Sequence, residues 1–311
     1  MSNNWFLFAI LAPFLWGLVN HIDRYLLSKS FRGNGVGTIL IFSSLFSFVL
    51  VIFIGLFLKT PVFDLSFIDG VSLVLIGGLG ALGFYCYLAA LDIEETSVVV
   101  PFLQLGPIFG YILGYLVLGE VLTANQIMAS VLILAGVVVL SFDFDIDNNI
   151  QFKKKMIILM IGSSFFFALH DTLFKEIAIR DEFWVSTFWQ YLGLTFSGIF
   201  ILIFVPKFRK QFFLMFKLNK PSVFSMNIFS ETLYLLANLA SNFAMLLAPV
   251  ALVLVVSSYQ PLFVFLIGTF LTIFFPNIVK EKITKRHLVQ KIVSVIIIVT
   301  GSYLLYSSTL N

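Results

Sequence analysis

The chain has a single cysteine, Cys86, so no internal disulfide can form and the redox compartment leaves no mark on the sequence. Charge is scarce as well. Asp, Glu, Lys and Arg make up 11% of the 311 residues, against roughly 25% in a soluble domain. So few charges cannot cover a surface facing water. The net charge is only +3 and the basic residues fall between apolar runs, so a nucleic-acid partner has no support. There is no phosphate-binding glycine loop, which excludes ATP hydrolysis within the chain as far as motifs go. No nucleophile-elbow pattern with a Ser, His and Asp set is present either, and no cofactor is expected. Asp143-x-Asp145-x-Asp147 opens like a calcium loop. Asn148 at its sixth position and Lys154 at its twelfth leave it incomplete, so no metal site is expected. Met1-Ser-Asn-Asn brings no basic n-region and no cleavage site follows, so the first apolar run is expected to be a retained helix.

What is abundant is hydrophobicity. Apolar residues are 60% of the chain and mean hydropathy is +1.04. Ten apolar runs of about 18 to 25 residues can be marked, the length that crosses a bilayer as helix. They cover about 4–27, 36–58, 70–91, 97–118, 124–141, 155–178, 183–205, 222–247, 250–275 and 288–306. Backbone in lipid must satisfy its own hydrogen bonds, and these runs are too long for barrel strands, so the expected fold is an all-α integral membrane bundle.

The runs repeat. Trp16-Gly17 is followed by Asn20 and Arg24; Phe167-Ala168 is followed by Asp171 and Lys175 at the same spacing, 151 residues on. Pro107 in the fourth run corresponds to Pro261 in the ninth. Gly119-Glu120 precedes Leu132-Ile-Leu-Ala-Gly136, and Lys280-Glu281 precedes Ile297-Ile-Val-Thr-Gly301. The expected organisation is a first five-helix repeat over 1–142, a polar linker over 143–154 and a second repeat over 155–311. Five is odd, so the second copy enters the membrane from the opposite side and the repeats are inverted. All of the 19 Lys and Arg residues except Lys59, Lys175 and Arg180 fall on one side of this arrangement, the basic side. The positive-inside rule makes that side cytoplasmic and turns both termini outward.

On these residues the chain resembles the EamA type of the drug/metabolite transporter superfamily, over essentially its whole length. The resemblance rests on Trp16-Gly17 with Arg24, Phe167-Ala168 with Lys175, Pro107 with Gly119-Glu120, and Ala248-Pro-Val-Ala-Leu with Gln260-Pro261. It implies a ten-helix carrier with a central cavity that moves amino acids or other small metabolites. Two departures stand out. Lys280 replaces the family's usual glycine before Glu281, and the family places both termini in the cytoplasm where the charge bias here argues the reverse.

Polar groups at mid-bilayer depth are costly and tend to face a cavity or a partner. Glu231 lies about ten residues past Pro221, roughly half a membrane at 1.5 Å per residue. Tyr234, Asn238, Ser241 and Asn242 follow at helical spacing on the same face. Glu231 is the candidate coupling carboxylate; it has no counterpart in the first repeat, where Gly77 stands. Asn20, Asp171, Gln104, Asn238 and Gln260 are candidate polar liners, with Trp16, Trp189 and Tyr234 as walls. His170 is a candidate relay or a packing histidine; His21 reads as interfacial. Tyr111, Tyr115, Ser257, Ser258 and Tyr259 lie on the same runs as Gln104 and Gln260. Asp171 and Lys175 are four apart and can form an intrahelical pair. Arg24 and Lys175 read equally as snorkelling anchors. Trp5, Trp184, Tyr303 and Tyr306 fall at run ends and read as interfacial belt. Gly77, Gly78, Gly80 and Gly83 read as a close-packing stripe.

The function expected is secondary transport of a small metabolite by alternating access, in the cell membrane, with a proton as the candidate coupling partner. The alternative is an integral-membrane enzyme or flippase acting on lipid-linked substrates. An enzyme of that kind needs clustered carboxylates at one membrane face, and Asp92, Glu94 and Glu95 are the nearest approach to one outside the linker.

Overall fold

A computed structural model describes residues 4–29, 35–58, 60–93, 99–141, 154–218, 221–274 and 285–310. Helix is the regular structure throughout these residues, with no strand among them. The first half holds α1 (Trp5–Lys29), α2 (Gly35–Phe46), α3 (Phe48–Phe57), α4 (Phe67–Leu91), a 3₁₀ turn (Val100–Leu105), α5 (Gly106–Leu118) and α6 (Ala124–Ser141). The second holds α7 (Lys154–Ala178), α8 (Phe183–Phe204), α9 (Pro206–Leu218), α10 (Pro221–Leu247), α11 (Val250–Ser257), α12 (Gln260–Phe274) and α13 (Lys285–Leu310). Each marked apolar run is occupied by helix. Six spans are long and apolar enough to cross a membrane, including Gly35–Phe57 and Val250–Phe274, and three shorter apolar stretches accompany them. The chain is an all-helical membrane protein. The expected linker falls mostly on residues outside those described, as do Arg32, Glu94, Glu95, Lys280 and Glu281.

The packing is nearly invariant when the two halves are exchanged. The helix α1 packs along α10, and its counterpart α7 packs along α4. The two fifth helices, α6 and α13, pack on each other. At their contact, a Cβ on Gly136 would meet Ile298 Cγ1 at 2.8 Å and Ser294 O at 3.1 Å. A Cβ on Gly301 would meet Ile133 Cγ1 at 2.8 Å and Ala129 O at 3.2 Å. Both glycines, both isoleucines and both residues whose carbonyls approach them stand at one offset of 165 residues. The exchange breaks down at one seam. The helix α4 lies closely along α8, whereas its counterpart α10 barely touches α2. A Cβ on Gly77 would come within 2.6 Å of Leu194 N and closer still to the Gln190 carbonyl. Backbone rides on backbone there, and only glycine permits it.

Three spans are interrupted. The ninth breaks at Ser258-Tyr259, between α11 and α12, just ahead of Pro261; the fourth begins as the 3₁₀ turn ahead of Pro107. Helix interruptions of this kind free backbone groups that only a protein-lined interior can tolerate. The second span breaks at Ser47, whose hydroxyl lies 2.8 Å from Thr195 Oγ1 and donates to Ser44 O at 2.6 Å. The segment after α8, expected as a loop, is the amphipathic helix α9. It carries Lys207, Arg209, Lys210 and Lys217, and buries Phe212 and Met215. Gln211 Oε1 accepts from the Gly37 N–H at 3.0 Å, fastening α9 to the start of α2. Its basic face and apolar face are those of a helix lying in the membrane interface.

Three expectations about single side chains need correction. Trp5 is 2% exposed and packs in the core beneath α6 and α13, not in an interfacial belt. Trp189 is not a cavity wall; it packs against Phe63 and Phe188 and donates to Val62 O at 2.6 Å. Asp171 and Lys175 do not pair with each other. Lys175 reaches Glu120 Oε1 at 2.5 Å and Ala248 O at 2.7 Å, and Asp171 turns to His170. A lysine that is 7% exposed does not snorkel. Glu120 Oε2 also accepts the Val250 N–H at 2.9 Å, so one buried ion pair joins α5, α7 and the start of α11.

Candidate functional site

A cavity of about 820 Å³ lies between the two halves. That is within the range of pockets that enclose a small organic molecule. From α1 come Trp16, Asn20, His21 and Asp23; from the fourth span, Gln104 and Pro107. Asn20 and Asp23 are three apart on one helix face, which brings both side chains to the same wall. From α7 come His170 and Asp171, and from α8 Gln190 and Tyr191. All five members of the α10 stripe, Glu231, Tyr234, Asn238, Ser241 and Asn242, line it. Gln260 and Pro261 complete the wall at the interrupted ninth span. Thus Trp16, Asn20, Gln104, His170, Asp171, Glu231, Tyr234, Asn238 and Gln260, named from the sequence, are brought to a single space. Asp23, Gln190, Tyr191, Ser43 and Ser44 join them without having been named. Tyr111 and Tyr115 do not; they are exposed on the outer face of α5. Tyr259 turns away and bonds Ser302 on α13. His21, expected at the interface, lines the cavity and donates from Nε2 to Val264 O at 2.9 Å.

Each cavity carboxylate is held through one oxygen. Ser43 donates to Glu231 Oε1 in a short bond. Ser230 donates to Asp23 Oδ1 at 2.8 Å. Asp171 Oδ1 lies 2.9 Å from His170 Nδ1. The last contact belongs to a longer chain. Asn242 Nδ2 donates to Gln190 Oε1 at 3.1 Å, and Gln190 Nε2 sits 2.8 Å from His170 Nε2. With its oxygen occupied by Asn242, Gln190 offers an N–H to His170. His170 Nε2 therefore accepts, and the ring proton sits on Nδ1, facing Asp171. The chain Asn242–Gln190–His170–Asp171 ties α10, α8 and α7 together across the cavity.

Other polar atoms are unused. Trp16 Nε1, Ser44 Oγ, Gln104 Oε1 and Ser257 Oγ are buried without a hydrogen-bond partner. The residues that carry these four groups all line the cavity, and a buried polar group without a partner calls for an explanation. The lining runs to Leu91, the last residue of α4, and to Asp23 near the end of α1, so the space extends toward the basic side. Toward the other side lies the Glu120–Lys175 pair.

Residues 3–142 match the family model described as "EamA-like transporter family". One solved structure, titled only "Crystal structure of protein", superposes with a TM-score of 0.71 over 100% of this chain and 98% of that one, at 15% identity. At that identity the likeness concerns the fold alone. No curated protein matches the chain.

Proposed function

We infer from a membrane chain whose residues 3–142 match the EamA-like transporter family that the protein is a secondary carrier for a small metabolite, such as an amino acid or related compound, in the cell membrane. The observation that carries this reading is the convergence of both halves on the 820 Å³ cavity, with unpartnered polar atoms in its walls. Ten spans in two inverted units, with the site at their interface and two interrupted spans beside it, are the architecture of alternating-access carriers. In this reading the cavity is open toward the basic side. Transport parts the α4–α8 seam and closes the space between α10 and α2.

Glu231 is the coupling group. The residue is 7% exposed, its carboxyl is bonded to Ser43, and no cation pairs with it among the described residues. Such a group binds either a substrate charge or a proton, and exchange between the two couples the fluxes. Tyr234 and Trp16 wall the site, and Asn20, Gln104, Asn238, Gln260 and the His170–Asp171 pair orient the substrate. Metabolite-loaded proteoliposomes test this. Wild-type protein should release a subset of solutes at a rate that depends on the pH gradient, and Glu231→Gln should make release independent of it. Unchanged pH dependence in the variant removes Glu231 from coupling.

An enzyme or flippase acting on lipid-linked substrates is the weaker reading. The EamA-like family is a transporter family. The carboxylates it would need at Asp92 fall partly on residues outside those described.

A further inference from the structure

The ionisable side chains described in the cavity wall are carboxyl groups, histidines and tyrosines. Asp23, Asp171 and Glu231 line it, and among the described residues no lysine or arginine side chain does. The one buried lysine near it, Lys175, is taken up by Glu120 and Ala248 O. Both cavity histidines make hydrogen bonds to the protein, His21 to Val264 O and His170 to Asp171 and Gln190.

Each carboxylate keeps an oxygen that no described hydrogen bond takes. Ser43 and Ser230 hold one oxygen each of Glu231 and Asp23, leaving Oε2 and Oδ2. Separately, Gln104 is 8% exposed with its carbonyl Oε1 unpartnered, and Ser44 is 1% exposed with its hydroxyl unpartnered. Both line the same space. An amide oxygen buried without a donor is expensive, and a guest bringing N–H groups would satisfy it. Part of the remaining wall is aromatic: Phe84, Tyr87, Phe167, Tyr191 and Tyr234 line the cavity with Trp16, beside aliphatic side chains such as Leu88 and Leu254. Ring faces attract a desolvated cation.

We propose that the substrate is an organic cation, a small amine carrying an apolar or aromatic body. Its ammonium group is held by the cavity carboxylates, and its body packs on the aromatic part of the wall. An inorganic cation alone would leave most of the 820 Å³ and its apolar surface unfilled. An acidic metabolite would face three carboxyl groups with no lysine or arginine among the described lining residues to receive it. The assignment rests on the carrier reading for transport but not for binding.

The test uses three molecules with one ring and different charge: tryptamine, tryptophol and indole-3-acetate. Binding of each is measured by calorimetry on the full chain in lipid nanodiscs. Tryptamine should bind at least about ten-fold more tightly than tryptophol, the scale of one favourable buried charge contact, and indole-3-acetate most weakly. Asp23→Asn and Glu231→Gln should each shrink the tryptamine preference while leaving tryptophol affinity in place. The wild-type comparison stands even where a variant fails to fold. The proposal is overturned if tryptamine binds no more tightly than tryptophol or the acid. Proteoliposome flux separates the two readings. Amine-selective binding without flux refutes the carrier and leaves the charge assignment. Flux of neutral or acidic solutes with no amine preference refutes the assignment and leaves the carrier.

Discussion

Replacing Lys175 with methionine should be among the most damaging single changes in the chain, although the residue lies outside the cavity. Methionine keeps the length of the side chain but removes two contacts: the 2.5 Å ion pair to Glu120 and the 2.7 Å bond to Ala248 O. The Lys175 and Glu120 side chains are 9% and 14% exposed, so solvent screens little of the loss. Glu120 would retain only the Val250 N–H. Stranding one partner of a buried pair costs about 3–5 kcal/mol. For a chain this long that corresponds to a fall in Tm of roughly 6–10 °C, taking about 2 °C per kcal/mol. Glu120→Gln retains an acceptor for Lys175 and should cost less, about 1.5–3 kcal/mol. The double variant removes both charges together, so its loss should fall short of the sum by about 1–3 kcal/mol. Thermal unfolding of the purified protein in nanodiscs, followed by intrinsic fluorescence, reads all three. Strict additivity, or a Lys175→Met loss below about 1 kcal/mol, would refute the pair as a joint between α5, α7 and α11.

Gly77→Ala and Gly193→Ala should each destabilise the α4–α8 seam by about 1–3 kcal/mol through overpacking, because a Cβ there meets backbone. Gly78→Ala is the control; its Cβ would meet only Ser197 Oγ at 3.5 Å, and its Tm should hold or rise. Trp189→Phe should lower stability by about 1 kcal/mol through loss of the bond to Val62 O while leaving the substrate KM unchanged. A raised KM would return Trp189 to the site. Gln190→Leu should raise KM, since it severs the chain from Asn242 to His170; an unchanged KM would make that chain purely structural. Epitope tags at both termini should be accessible from outside intact cells, as the charge bias requires; protection of both would reverse the orientation.

Much of the fold was readable because lipid makes strong demands on sequence. Apolar runs must be long enough to cross, and repeated landmarks such as Gly136 and Gly301 survive at fixed offsets. The α10 stripe was readable because a single helix carries all five residues at local spacing. Asp23 carried the same kind of signal, three residues past Asn20 on one face, but it lay near the expected end of the run. Gln190 and Tyr191 carried none, since neither repeats in the first half and their partners Asn242 and His170 lie on other helices. Lys175 shows the limit most clearly. Asp171 one turn away was the obvious local partner, yet Glu120, 55 residues back, takes the ammonium and accepts the first N–H of α11 as well. Local spacing ranks partners by proximity in sequence, whereas burial selects them by how many groups one contact can satisfy.

The reciprocal contact between α6 and α13 has the form of an isologous dimer interface, with Ile133 seated on Gly301 and Ile298 on Gly136. Two separate five-helix chains of opposite orientation could have met through such a surface before any linker joined them. While one gene encoded both, every change would have appeared twice, and a carboxylate placed for binding would have faced its own copy. Covalent fusion lifts that constraint. It lets one copy keep Gly77, where backbone must close on backbone, while the other carries Glu231, where charge is needed. The glycine of the seam and the carboxyl of the cavity thus stand at matching places in the two halves, 154 residues apart, and the joined chain can hold both at once.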